Sequence, residues 1–198
     1  MPIDTTPTTP STLLDAVNTL LNAIRVASVT SLATVDLNED AAAAKKAIDD
    51  VSREVQMEGW EFNTEREVTL DPEPTGEVSL PSNTLQVTSY RYSSKNRLVP
   101  REGRLYDPKK RTYNIGEAVK VNLVLALEFA ELTPAGRFYV TAMAARRFCL
   151  PRLPVGSSFK YTEELVLGAR SLLEQEDTAL GDTDLKQTSP HFARMGRR

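Results

Sequence analysis

The sequence has little of what catalytic and metal-binding sites are usually built from. Its 198 residues contain one cysteine, Cys149, and one histidine, His191. A disulfide framework within the chain is therefore excluded, and so is a zinc site assembled from several Cys and His ligands. A reducing compartment is compatible with this usage. No apolar run approaches the roughly 20 residues that a helix needs to cross a bilayer, so no membrane partner is expected. The phosphate-cradling patterns GxxxxGK[ST] and GxGxxG are both missing. The net charge of -3, with 26% charged residues, lacks the basic excess of a protein that coats polyanions. The first ten residues have neither a basic nor an apolar region of the secretory kind, and are not expected to form a signal peptide. No cofactor and no metal are expected.

The chain is rich in architectural signals. Residues 1–10, heavy in Thr and Pro, read as a flexible arm. Ser11 or Thr12 can cap a helix over residues 13–26, with Leu13, Val17, Leu20, Leu21 and Ile24 on one face. After a Ser/Thr-rich connector, Asn38 or Asp40 can cap the most strongly patterned segment, residues 40–58. There Ala41, Ala44, Ile48, Val51 and Val55 recur at steps of three, four, three and four, and Gly59 supplies a left-handed stop. Trp60 and Phe62 follow at once and are expected to be core, filling the junction between helices and strands. From there short β-prone runs alternate with turn chemistry: residues 67–70, 77–80, 85–90 and 105–106, then a longer apolar strand over 119–129. Helix returns at Thr133-Pro134 and runs to Leu150. A last helix, capped by Ser157 or Ser158, spans residues 160–177 with Tyr161, Leu165, Ala169, Leu172 and Leu173 on its apolar side. The expected fold class is α+β. A helical bundle forms from both ends of the chain (residues 11–60 and 133–177), with an inserted, small, antiparallel β-region (61–132) and a flexible C-terminal tail (178–198).

Several landmarks in this layout coincide with a known family. They are the Ala-rich helix ending in Gly59-Trp60-x-Phe62-Asn63, then Arg104-Leu-Tyr-Asp107, then Val119-x-Val-Asn-Leu-Val124. Glu131-Leu-Thr-Pro134, Arg137-Phe-Tyr-Val140 and Ala144-Ala-Arg-Arg-Phe148 complete the set. In this order and spacing the chain resembles the tail tubular protein A family, the head-to-tail adaptors of short-tailed autographivirus-type phages. The resemblance implies a non-enzymatic virion protein made in the host cytoplasm and placed in the tail. It implies a homo-oligomer, a dodecameric ring, between the portal protein and the tail nozzle protein, near the tail-fibre roots. DNA would pass through its lumen without specific binding.

Candidate sites are few. Asp49 with Asp50, Glu163 with Glu164, and Glu174 with Glu176 and Asp177 could be enlisted for a tail-associated cell-envelope hydrolase. Neighbours on a helix point in different directions, however, and solvated helix surface is the expected state. His191 falls in the tail, and Cys149 is expected to be a buried small hydrophobe. The more pointed feature is a basic cluster, Lys95, Arg97, Arg101, Arg104, Lys109, Lys110 and Arg111, in loops of the β-region. A second lies in the tail with Lys186, Arg194, Arg197 and Arg198. These are read as partner-binding candidates for an acidic protein surface, the portal in the case of the tail. A nucleic-acid module based on the same loops is the third reading, disfavoured by the net acidity.

Overall fold

The computed structural model describes residues 9–89, 98–153 and 160–188. The fold is α+β and divides into two compact units. One combines residues 1–55 with 128–198, and the other is residues 56–127.

The first unit is helical. Helix α1, Leu13–Ala23, opens on a capping box: Thr12 Oγ1 accepts from the Asp15 N–H at 3.1 Å, and Asp15 Oδ2 accepts from the Thr12 N–H at 3.1 Å. Hydrogen bonds from Thr12 and Ser11 hold the Asp15 carboxyl below its ordinary range. Helix α2, Glu39–Gln56, starts where Asn38 Oδ1 accepts from the Ala41 N–H at 3.0 Å. All of Ala41, Ala44, Ile48, Val51 and Val55 are buried, as their spacing requires. Burying each of the larger side chains contributes about 1.5–3 kcal/mol. The Ser/Thr-rich connector before α2 holds a short 3-10 turn, Leu32–Leu37.

Helix α3, Pro134–Cys149, has Thr133 as its cap and packs against α1. Near its end the Cys149 thiol points at the Leu20 carbonyl, 3.6 Å away, among the last carbonyls of α1, where the helix runs out of its own N–H partners. Burial pushes this thiol up to about 11. Helix α4, Glu163–Thr188, packs on α3 and corrects the sequence reading in three ways. Thr162 Oγ1 accepts from the Leu165 N–H at 3.3 Å, so Thr162 is the cap; Ser157 and Ser158 lie outside the described residues. Leu172 is exposed, because Leu173, about 100° further round the helix, takes the inward position. Helix also continues through residues 178–188, where the sequence pattern predicts tail. Losing amphipathic periodicity removed a packing face but not the helix-forming tendency of Ala, Leu, Lys and Gln. Residues 189–198 lie outside the described part, as do residues 1–8 of the arm.

The second unit is antiparallel β. It comprises β1 (Thr64–Leu70), β2 (Thr84–Ser89), β3 (Val99–Arg101), β4 (Arg104–Tyr106) and β5 (Val119–Leu125). One sheet has the order β1-β5-β2, and β3 pairs with β4 separately. Val78, Leu105, Val119, Val121 and Leu123 form its core. A bulge interrupts β1 between Glu65 and Val68, where Glu67 adopts φ 55° and Asn122 Oδ1 on β5 accepts its N–H at 2.9 Å. Two expected strands are corrected. Residues 77–80 make only isolated bridges, Glu77 with Asn114 and Ser79 with Arg104. The last strand stops at Leu125, not Phe129: past it the Ala126 N–H still reaches the Asn83 carbonyl at 2.7 Å, and side chains supply further partners. Asn83 Nδ2 donates to the Ala126 carbonyl at 3.0 Å, and Gln56 Oε1 accepts from the Leu127 N–H at 2.7 Å.

Gln56 and Asn63 fasten this unit where the chain enters and leaves it. Gln56 Nε2 returns a bond to the Leu127 carbonyl at 3.1 Å. Asn63 Nδ2 donates to the carbonyls of Gln56 and Leu125, both at 2.9 Å, while its Oδ1 accepts from the Trp60 N–H at 2.9 Å. Both amides are buried, at 2% and 3% exposure, and Trp60 beside them is buried too. Phe62 is half-buried. Gly59, at φ +78°, makes the left-handed turn that ends α2 and starts this arrangement.

Two predictions follow from burial. Asn63→Ala removes the side-chain partner of the buried Trp60 N–H and of the part-buried Leu125 carbonyl, while the Gln56 carbonyl keeps the Gly59 N–H at 3.2 Å. The expected cost is about 1–3 kcal/mol, whereas Asn83→Ala, at an exposed position, costs under about 1 kcal/mol. Urea unfolding of the two variants reads the difference; equal midpoints would remove Asn63 from this role. Cys149, held as the protonated thiol, is expected to react with a thiol reagent at about pH 8 only as fast as the bundle opens, tested by labelling with and without denaturant.

Candidate partner-binding face

Five of the sequence-predicted basic residues fall within the described part of the β-unit, and their surroundings separate them into two groups. Arg101 and Arg104 flank a two-residue turn. Glu102 (φ 51°) and Gly103 (φ 72°) are both left-handed there, which matches the twist of the flanking strands β3 and β4. The Arg101 guanidinium lies 4.2 Å from the centre of the Tyr106 ring, and that of Arg104 lies 4.6 Å from the centre of Tyr113. The two rings meet edge to face, with centroids 5.0 Å apart at 61°. Arg104 also bonds Glu77 Oε2 at 2.7 Å and Glu102 Oε2 at 3.3 Å. The Glu77 carboxylate, with Glu102 adding to it, raises the Arg104 pKa further. This guanidinium is committed inside its own unit.

Lys109, Lys110 and Arg111 are arranged differently. They occupy the tip of the loop after β4, and all three are exposed. Buried Asp107 builds the loop: its Oδ1 accepts from the Lys109 N–H at 2.8 Å and from the Lys110 N–H at 3.0 Å. Its backbone exchanges hydrogen bonds with Thr112 at 2.9 and 3.3 Å, and Arg111 turns the chain at φ 57°. Three consecutive cations therefore sit on a turn whose form is fixed by backbone bonds, with their side chains extending into solvent. Such a tip can meet carboxylates on a partner without first being ordered.

Sequence reasoning named the cations but not the residues that sort them: Tyr106, Tyr113, Glu77 and Asp107. Of these only Asp107 left a readable signal, since Asp-Pro is a turn-initiating pair. Arg97, Arg194, Arg197 and Arg198 lie outside the described residues, as do Lys95 and His191; Lys186 lies on α4, in its last turns. The acidic residues considered for hydrolysis are mostly held in exposed ion pairs. Asp49 bonds Lys45 and Asp50 bonds Lys46, each at 2.7 Å, Glu174 bonds Arg170 at 2.9 Å, and Glu163 bonds Arg146 at 3.3 Å. Among the described residues, no group of three or more His, Cys, Asp or Glu side chains could hold a metal ion, and no helix is long and apolar enough to cross a membrane.

Comparison with known proteins agrees with the ordered motifs. Residues 14–186 match the model of the tail tubular protein family. The chain is also similar to tail tubular protein A of Klebsiella phage KP34, with 28% identity over 186 residues covering 93% of this chain and 96% of the relative. The chain belongs to the tail tubular protein family, and is a structural component of the virion tail.

Proposed function

We propose that this protein is a head-to-tail adaptor whose copies form a ring between the portal and the tail nozzle, leaving a lumen for DNA. The observation that carries the proposal is the end-to-end likeness to a protein named tail tubular protein A, together with the adaptor role that the ordered motifs imply. The work it performs is interfacial and not catalytic. Four of the acids nearest to a hydrolase pattern, Asp49, Asp50, Glu163 and Glu174, are engaged with neighbouring cations on exposed helix faces. A general acid needs the opposite environment, a desolvated carboxyl of raised pKa.

Within this reading, Lys109, Lys110 and Arg111 form the contact toward an acidic partner, the nozzle or the fibre root. Arg101 and Arg104 keep the underlying hairpin in place. Tight phosphate binding would slow DNA transit, which favours a protein as the loop's target. The basic residues of the C-terminal segment, Arg194, Arg197 and Arg198, are assigned to the portal.

Two measurements test this. Native mass and imaging of the chain mixed with portal should give a closed ring of fixed copy number; a chain that stays monomeric and never joins portal or nozzle would sink the proposal. Replacing Lys109, Lys110 and Arg111 together by Ala should change stability by less than about 0.5 kcal/mol. The same variant should weaken nozzle binding several-fold at low salt, a loss that shrinks as salt screens the charges. Unchanged nozzle binding would remove the loop from the interface.

A further inference from the structure

The helical unit carries a groove that the described residues leave uncovered. It has a volume of about 430 Å³ and opens between the second half of α3 and the first turns of α4. Tyr139, Met143 and Val166 line it, and Leu150 and Leu167 stand at its edges, 52% and 59% exposed. Its charged rim is internally matched: Arg146 bonds Glu163 at 3.3 Å, and Arg147 grips Glu54 through two bonds at 2.5 and 2.8 Å. A small polar ligand would need groups converging on it. These groups face each other instead, leaving an open apolar trough suited to a side chain from another protein.

The same unit also displays an apolar projection of fitting chemistry. In the 3-10 turn Leu32–Leu37, Val35 is fully buried while Leu37 is 86% exposed. Caps fix both ends of this turn. Ser31 Oγ accepts from the Ala33 N–H at 3.1 Å, and the Asn38 N–H donates to the Val35 carbonyl at 3.1 Å. Leu37 is thus held outward by a fixed turn with its inner face anchored, and acidic Glu39 and Asp40 follow one residue later, after Asn38. The groove's edge at Leu150 leads into Arg152, whose guanidinium lies 4.0 Å from the centre of the Phe148 ring, and Arg146 is on its rim. An apolar knob followed by acids suits an apolar hole whose rim arginine Arg146 is only loosely paired with Glu163 and beyond whose edge Arg152 stands.

We infer that Leu37 of one copy seats in the α3–α4 groove of the next, with Glu39 and Asp40 turned toward Arg146 and Arg152. Knob and hole come from different elements, so the contact is heterologous, the type that repeats head to tail and closes into a ring when the rotation permits. The exposed ion pair Arg146–Glu163 is worth little by itself and can exchange partners on contact. The inference rests on the ring reading, and assigns the surfaces that build it.

Leu37→Cys and Leu167→Cys, made singly and together, test it in assembled particles. Native Cys149 is buried and does not compete. Both substituted positions are more than half exposed, so folding should be kept, checked by circular dichroism. Oxidised particles carrying the double variant should give a covalent ladder on a denaturing gel, and mixed single variants should stop at dimers. Leu37→Asp should weaken self-association about tenfold or more. Particles that hold several copies yet give no bond between the two positions overturn the inference while leaving the ring intact. So does a bond from the groove cysteine to a different tail protein. A single copy per particle overturns both.

Discussion

The β-unit depends on two buried amides. Gln56 and Asn63 sit where the chain enters it, and their side chains reach the backbone of residues 125–127, where it leaves. A three-stranded sheet with a small core has only a modest hydrophobic contribution to hold it closed. Side-chain amides can serve as backbone partners at positions where no strand is available, and burial makes each such bond costly to lose. The consequence reaches along the sheet. With Leu125 and Leu127 held, the register of central strand β5 is set from one end. With β5 set, Val119, Val121 and Leu123 face inward together, and β1 and β2 pair to its two edges.

A similar economy governs the charges. The basic residues of the β-unit read in sequence as one cluster, but in three dimensions they have two destinations. Arg101 and Arg104 are held by tyrosines, Arg104 also by glutamates, and so serve as internal fasteners of a short hairpin. Lys109, Lys110 and Arg111 are exposed and raised on a loop that does not need them for its shape. Residue type alone cannot make this distinction, because an arginine that stabilises a hairpin and one that recruits a partner look the same along the chain. What separates them is whether an acid or an aromatic ring lies within reach, and Glu77 and Tyr113 come into reach only through folding.

Legibility varied in the same way. The stripe of α2 was readable because Ala41, Ala44, Ile48, Val51 and Val55 obey one period over several turns, and a long amphipathic helix has no competing use for that pattern. The caps at Thr12, Asn38 and Thr133 were readable because they are local chemistry. Residues 77–80 have a genuine β-prone composition that predicts a strand, but only single bridges with Arg104 and Asn114 are available to them. Helix α4 outlasts its amphipathic signal because the signal reports packing, while helix formation past Asp177 needs only propensity and a template to extend. Of the candidate site, the cations at residues 109–111 were legible. The carboxylate beneath them was visible only as half of an Asp-Pro turn.

That carboxylate has an evolutionary implication. Because Asp107 holds its loop through the N–H groups of residues 109 and 110, and not through their side chains, the shape of the loop is insulated from the identity of what it displays. Lys109 and Lys110 can be exchanged for other residues while the turn persists, with proline excluded since it has no N–H to give. A lineage meeting a new partner could therefore rewrite the chemistry of this tip, even reversing its charge, through a few substitutions that leave the sheet beneath untouched.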